Sequence, residues 1–408
     1  MPVGFWVFPW DIEDEGIDRF AARLEELGAT SASPSVLYHS GRALLPRARE
    51  QKVRLLGGPG ANYPFESLEA PFAGMESESA PRSGKRFWQG LAEALSDRGI
   101  RLDAWAMPMH GSELGRRLPL GVVRNCFGNP YSYALCPSHP QARQFAESLV
   151  GELARSQIFG AIRLESIGYL GYRHFHHHEA EYVGHGPLEE LLLSLCFCDA
   201  CTAGARREGI SVVELRAAIS RDLERRWRED VWSVGTDDVR EALASNDDLQ
   251  AFISYRQATV ASLVASLAEL CRRESTELHC FSAIFPPTLE HSTWIEGTDF
   301  AAWSRVLDRL IVFGYTAGGP GAAKVDEGWT RSELEYVRRY FDPSRVNVVL
   351  NLAPQYLATL DDARRRFGTI SEMGFNDLSI TNYGMLSETR LDWVPELRKV
   401  LDPSADST

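Results

Sequence analysis

Apolar positions in this chain come in short runs, separated by stretches in which they recur every three or four residues. The first run, 3–9, reads Val-Gly-Phe-Trp-Val-Phe-Pro, and at 17–27 Phe20, Leu24 and Leu27 then share one face of a helix. Similar runs at 35–39, 100–107, 160–164, 278–285, 309–315, 346–352 and 377–381 predict seven further strands. Amphipathic segments at 41–51, 86–98, 141–156, 300–307, 332–341, 360–373 and 389–400 predict helices between or after them. Apolar strands alternating with amphipathic helices are the pattern of a parallel sheet, whose two faces must both be covered. Eight such units, with no repeat of solenoid length, predict an α/β fold of the (β/α)8 TIM barrel type in preference to an open doubly wound sheet.

The alternation breaks twice. Residues 53–84 carry the turns Gly57-Gly58-Pro59-Gly60 and Asn62-Tyr63-Pro64 and then a Ser, Glu and Pro-rich stretch, which reads as a long loop on the barrel face. After strand four, residues 166–275 hold a Tyr/His-rich loop, a cysteine cluster and long helical patterns: a helical, cysteine-containing insertion. The expected organisation is one barrel domain over 1–402 that includes this insertion, with a frayed tail at 403–408.

With 44% hydrophobic and 24% charged residues, the chain can bury a sizeable core. Its net charge of -13 and the lack of a basic stripe argue against a nucleic-acid partner, because backbone phosphates are held by clustered cations. The Arg-rich runs 221–228 and 364–366 are interspersed with acids or apolar residues at helical spacing and read as solvated helix faces. The apolar N-terminus lacks a basic segment and a small-residue cleavage site, and no apolar run approaches the roughly 18 residues that span a bilayer. A soluble protein with no membrane partner is expected. Seven cysteines, three of them packed into 196–201, do not form a disulfide framework and fit a reducing, cytoplasmic compartment.

In such a barrel, polar residues at the C-terminal strand ends converge on one pocket. Here these are Trp10 and Asp11, Tyr38 and His39, His110, Glu165 and Tyr169, Tyr315, Tyr356, and Asn382. Aromatic faces stack on the apolar faces of sugars while His, Asn and Glu bond hydroxyls, so the set points to a small-molecule glycoside or oligosaccharide; any one of them taken singly could merely cap the core. Glu165, directly after Ile-Arg-Leu, is costly to bury unless it is used or paired, for example with Arg163. In the run His174 to Glu179, adjacent histidines diverge, and His178 is the one expected in the pocket. A metal held by His39, His110, Glu165 and His178 is a further arrangement. The glycine-rich turns lack the order of a dinucleotide fingerprint or a P-loop, so no organic cofactor is expected. No G-x-S-x-G or H-E-x-x-H element is present.

Cys196-Phe-Cys198-Asp-Ala-Cys201 places three soft ligands close enough to share a tetrahedral ion, with Cys136, then Cys126, then a histidine as the candidate fourth. The alternative is buried free thiols at a helix start. This element, the Cys-Pro-Ser-His-Pro segment at Cys136 and the carboxylate after strand four together resemble the family-42 β-galactosidases and related hypothetical glycosyl hydrolases, over roughly 136–201. The resemblance implies a structural zinc on Cys136, Cys196, Cys198 and Cys201, and Glu165 as general acid/base of glycoside hydrolysis. The family's nucleophile at strand seven has no carboxylate counterpart in 351–355, so the second group is sought in the strand-five loop among Glu290, Glu296 and Asp299. Asp299 fits a helix start with Thr298 as N-cap, which leaves Glu296 as the choice. The competing readings are a metal- or His/Glu-dependent sugar lyase or isomerase, and a carbohydrate-binding barrel whose catalytic pair has decayed.

Overall fold

The computed structural model describes residues 2–56, 60–77, 80–81, 84–172, 182–282, 292–315 and 327–401. Its barrel strands are β1 (Val3–Val7), β2 (Ser31–Tyr38), β3 (Arg101–Ala106), β4 (Ala161–Leu164), β5 (Glu277–Ser282), β6 (Arg309–Phe313), β7 (Val346–Asn351) and β8 (Asp377–Thr381). Each pairs in parallel with the next in sequence, and β1 pairs with both β2 and β8: Phe5 stands opposite Ala32 on one side and Ile380 on the other. The ring is therefore a closed (β/α)8 barrel. Open-sheet topology would have left β1 without one of these partners.

Side chains alternate along each strand, so the outward set packs on helices and the inward set fills the barrel. The outward residues Val3, Phe5, Leu102, Ile162, Leu278, Leu310, Val348 and Leu378 join one large apolar cluster with helix residues such as Phe20, Leu24, Leu91, Leu149 and Leu263. Inside, the lower layer is polar: Asp103 pairs with Arg163 at 2.7 Å and with Arg101 at 2.9 Å, His279 meets Glu277 at 2.9 Å, and Ser379 bonds Asn347 at 2.8 Å. Above it lies an apolar layer of Trp6, Trp105, Phe281, Ile311 and Val349.

Between β4 and β5 the chain forms helices Pro187–Ser194, Asp199–Arg207, Val212–Glu229, Thr236–Ala244 and Asp247–Arg273. The last has a buried face at Leu249, Phe252, Ile253, Arg256, Val260, Leu263 and Val264, a helical period that seats it against the barrel.

Three local expectations are corrected. Residues 41–51 are not a helix: Gly41–Leu44 pairs antiparallel with Val53–Leu56, because Pro46 breaks helical hydrogen bonding and Ala43, Leu45 and Leu56 fold onto the aromatic cluster above β1. The loop expected over 53–84 thus begins as a strand, and Gly60–Ala61 adds antiparallel to β2. The helix expected at 389–400 is two pieces, Glu388–Leu391 and Trp393–Leu401. The tail, 403–408, lies outside the described residues. Among the described residues no helix is long and apolar enough to cross a membrane.

Candidate active site

The C-terminal strand ends form an aromatic mouth. Phe8 stacks on Trp10 with ring centroids 4.2 Å apart and meets Tyr38 edge-on at 4.9 Å; Tyr38 in turn contacts Trp105 at 4.9 Å and stacks on His39 at 4.3 Å, and His39 contacts His110 at 4.4 Å. Across the mouth Phe313 touches Tyr315 at 5.4 Å, and Tyr315 touches Tyr356 at 5.1 Å. Tyr38, His39, Glu165 and Tyr315 keep part of their surface exposed, as groups that meet a ligand must. Burial lowers the pKa of His39, which favours a neutral imidazole, and raises those of Tyr38 and Tyr315, where the Glu165 charge adds to the effect.

Glu165 continues the barrel ladder, its amide donating to the Ala106 carbonyl at 2.9 Å, and its carboxylate accepts from Trp105 Nε1 at 2.9 Å. Arg163, two residues earlier and on the same face, is spent on Asp103 below and does not pair with it. Desolvation without a cation pushes Glu165 up to about 7, against the lowering by the Trp105 bond. The next residue, Ser166, sits in the left-handed region at φ 56° and turns the chain off the strand.

Glu296 arrives from the other side, at the end of the 3-10 turn Ser292–Glu296 that follows β5. It is 8% exposed, and its pKa rises to about 8 through burial first, with Arg256 opposing and Glu165 adding to the rise. The contact with the β4 loop is close because position 168 is glycine: a Cβ there would lie 2.4 Å from the Glu296 carbonyl oxygen. Tyr169 N–H donates to that same oxygen at 2.8 Å. Two carboxyl groups thus sit within electrostatic reach, both inclined to hold protons near neutrality. The Glu165 charge adds to the burial that disfavours ionisation of Glu296.

Cys136, Cys196, Cys198 and Cys201 are all buried, with their sulfurs within 4.8 Å of one another. Distances from Cys136 Sγ are 3.4 Å to Cys201, 3.6 Å to Cys198 and 3.8 Å to Cys196. Zinc–sulfur bonds of about 2.3 Å in a tetrahedron give sulfur–sulfur edges of about 3.8 Å, so this donor set fits one zinc ion. Arg124 N–H points at Cys196 Sγ at 3.4 Å. Among the described residues no other His, Cys, Asp and Glu group is arranged to hold a metal.

The structure thus brings Glu165, Glu296, Trp10, His39, His110 and Tyr315 to one end of the barrel. Trp10 is almost fully buried beneath Arg54 and borders a cleft of about 520 Å³ with Asp11, Glu15 and Arg47. Asn382 follows β8 at the same end; its amide nitrogen is 3.8 Å from Met385 Sδ, and Met385 packs on the mouth aromatics. Tyr169 is placed differently from expectation: it is fully buried, and its hydroxyl meets Ser138 at 2.7 Å and Cys201 Sγ at 3.7 Å, so it faces the thiols and not the mouth. His178 and Glu290 lie outside the described residues. Asp299 caps the helix Phe300–Trp303 through Ala302 N–H, so the N-cap is Asp299 itself and not Thr298. Cys126 lies apart from the quartet. Sequence reasoning missed Trp105, although its alternation with Arg101 and Asp103 marks it as inward, and Arg256, described below.

Known structures of similar shape include glycoside hydrolases. The glycoside hydrolase domain of PgaB from Bordetella bronchiseptica superposes with a TM-score of 0.63 at 12% identity, covering 98% of each chain. The fold is that of barrel glycoside hydrolases. The catalytic domain of a Paenibacillus polymyxa beta-amylase gives 0.60 at 12% identity over 99% of this chain and 98% of that one. A beta-galactosidase from Marinomonas ef1 gives 0.55 at 10% identity, all of this chain spanning 60% of that one. No protein-family profile and no curated protein matches the sequence.

Proposed function

We propose that this protein is a glycoside hydrolase acting on a carbohydrate or glycoside, with Glu165 as general acid/base and Glu296 as the second carboxylate. The observation that carries the reading is the pair itself: a half-buried Glu165 and a buried Glu296, each raised toward neutrality, beneath an aromatic mouth on a fold shared with glycosidases. A carboxyl near 7 is largely protonated in mildly acidic solution and about half protonated at neutrality, and can give its proton to the glycosidic oxygen as the C–O bond breaks. The reaction calls for Glu165 protonated and Glu296 ionised, the minority arrangement in the free protein because Glu296, at about 8, holds its proton above Glu165, at about 7. Positive charge developing at the anomeric carbon favours ionised Glu296, which attacks that carbon or deprotonates the water that does. Tyr38, His39 and Tyr315 supply the flat faces and hydroxyl partners for the sugar. The four-cysteine centre would hold a structural zinc; four thiolates leave no open position for substrate, so it would tie the segment between β3 and β4, through Cys136, to the helices between β4 and β5.

The test is turnover on a panel of aryl and natural glycosides. Glu165→Gln should lower turnover of natural glycosides by about 10²- to 10⁴-fold, and by less on substrates whose leaving group needs no proton. Full activity of Glu165→Gln on a natural glycoside would remove Glu165 from the reaction.

A further inference from the structure

Arg256 is a buried cation with no anionic side chain bonded to it among the described residues. It lies on the inner face of the helix Asp247–Arg273 and is fully buried. Its guanidinium donates from Nη2 to the Ser194 carbonyl at 3.2 Å, while Nε and Nη1 have no hydrogen-bond partner among the described residues. Such a charge is strongly unfavourable in a protein interior unless negative charge nearby offsets it. The groups that interact with it electrostatically are Tyr169, Cys196, Cys201 and Cys136, together with Glu296.

The packing makes this arrangement specific. The guanidinium sits 4.4 Å over the Tyr169 ring, whose hydroxyl reaches Cys201 Sγ at 3.7 Å and whose amide holds the Glu296 carbonyl at 2.8 Å. Gly297 closes the other side: a Cβ there would lie 3.1 Å from the Arg256 carbonyl and 3.3 Å from the Tyr169 ring. The thiol quartet, Tyr169, Arg256 and the Glu296 segment therefore form one packed block.

We propose that Arg256 is the counter-cation of the four-cysteine centre, a positioning residue that holds the charge of the metal-bound thiolates inside the fold and, with Tyr169, fixes Glu296 beside Glu165. The proposal rests on reading the quartet as a zinc site and Glu296 as the second carboxylate. Four thiolates around a divalent ion carry a net charge of about two minus, which a buried guanidinium offsets and a neutral side chain does not. Arg256 is shared, so what it gives to Glu296 it gives less fully to the sulfurs.

The experiment is zinc retention against graded chelator on the purified full chain, read as metal per chain and as melting temperature. Arg256→Met should release zinc at about 10- to 100-fold lower chelator activity than the wild type, the usual cost of removing a partner behind metal ligands, and Arg256→Lys should recover most of the loss. Glu296→Gln, compared with the wild type near pH 9 where Glu296 is ionised, leaves Arg256 to the thiolates alone and should hold zinc several-fold more tightly. Wild-type zinc affinity in Arg256→Met overturns the proposal; should that variant not fold, unchanged affinity in Glu296→Gln overturns it instead. A wild type that holds no zinc removes the metal reading and this proposal together, whereas zinc-loaded variants of wild-type affinity remove this proposal alone.

Discussion

Glu165→Gln should change stability as well as turnover, and the two effects should run in opposite directions. Moving a carboxyl from its ordinary 4.5 to about 7 corresponds to about 3 kcal/mol of preference for the neutral form in the folded state. Because the folded pKa is raised, this contribution is fully present below about pH 4.5 and is lost as pH rises through 7. Glutamine is neutral throughout and its carbonyl can still accept from Trp105 Nε1. The variant should therefore match the wild type to within about 1 kcal/mol near pH 5 and exceed it by about 3 kcal/mol near pH 8.5. Part of the gain is shared, since removing the Glu165 charge also eases ionisation of Glu296. Urea unfolding of both proteins at the two pH values, followed by tryptophan fluorescence, measures the difference directly. A stability gap that is the same at both pH values would refute the desolvation argument, whatever happens to activity.

Three further outcomes follow from the structure. Metal analysis of the purified chain should return about one zinc, and Cys198→Ser should lose both the metal and thermal stability, because the quartet then lacks a thiolate. Arg163→Met leaves the fully buried Asp103 with only the partly exposed Arg101, and should cost about 3–5 kcal/mol in urea titrations. Ser166→Gly removes a left-handed side chain at φ 56° and should stabilise by about 1 kcal/mol in thermal melts, whereas Ser166→Val should destabilise.

The barrel was legible because its strands carry apolar residues at the alternate positions that pack on the helices, and β8, Asp-Leu-Ser-Ile-Thr, occupies the residues that pattern marked, Asp377–Thr381. The hairpin at Gly41–Leu56 was not, since Ala, Leu, Arg and Glu favour helix locally and only the aromatic cluster above β1 imposes the alternate pattern. The cysteine quartet was readable from local spacing plus one distant Cys-Pro segment. Glu296 was visible only as a carboxylate beside Gly297; what brings it to the β4 loop is the missing side chain at Gly168, a tertiary contact that no periodicity records. Arg256 hid in plain sight: an arginine on a helix is ordinarily taken as solvated, yet its spacing from Phe252, Ile253 and Val260 puts it on the buried face.

The layered barrel interior bears on how this protein can diversify. Trp6, Trp105, Phe281, Ile311 and Val349 form an insulating sheet between the ion pairs of the lower layer and the carboxyl pair at the mouth. Arg163 is paired with Asp103 below this layer, and the Glu165 shift follows from burial and the Trp105 bond. Substitutions in the lower layer should therefore change stability without reaching the carboxyl pair, whereas those at the mouth change both stability and the pair. A chain built this way can drift at its base, or be redesigned there for heat tolerance, while the carboxyl pair and the aromatic mouth change independently.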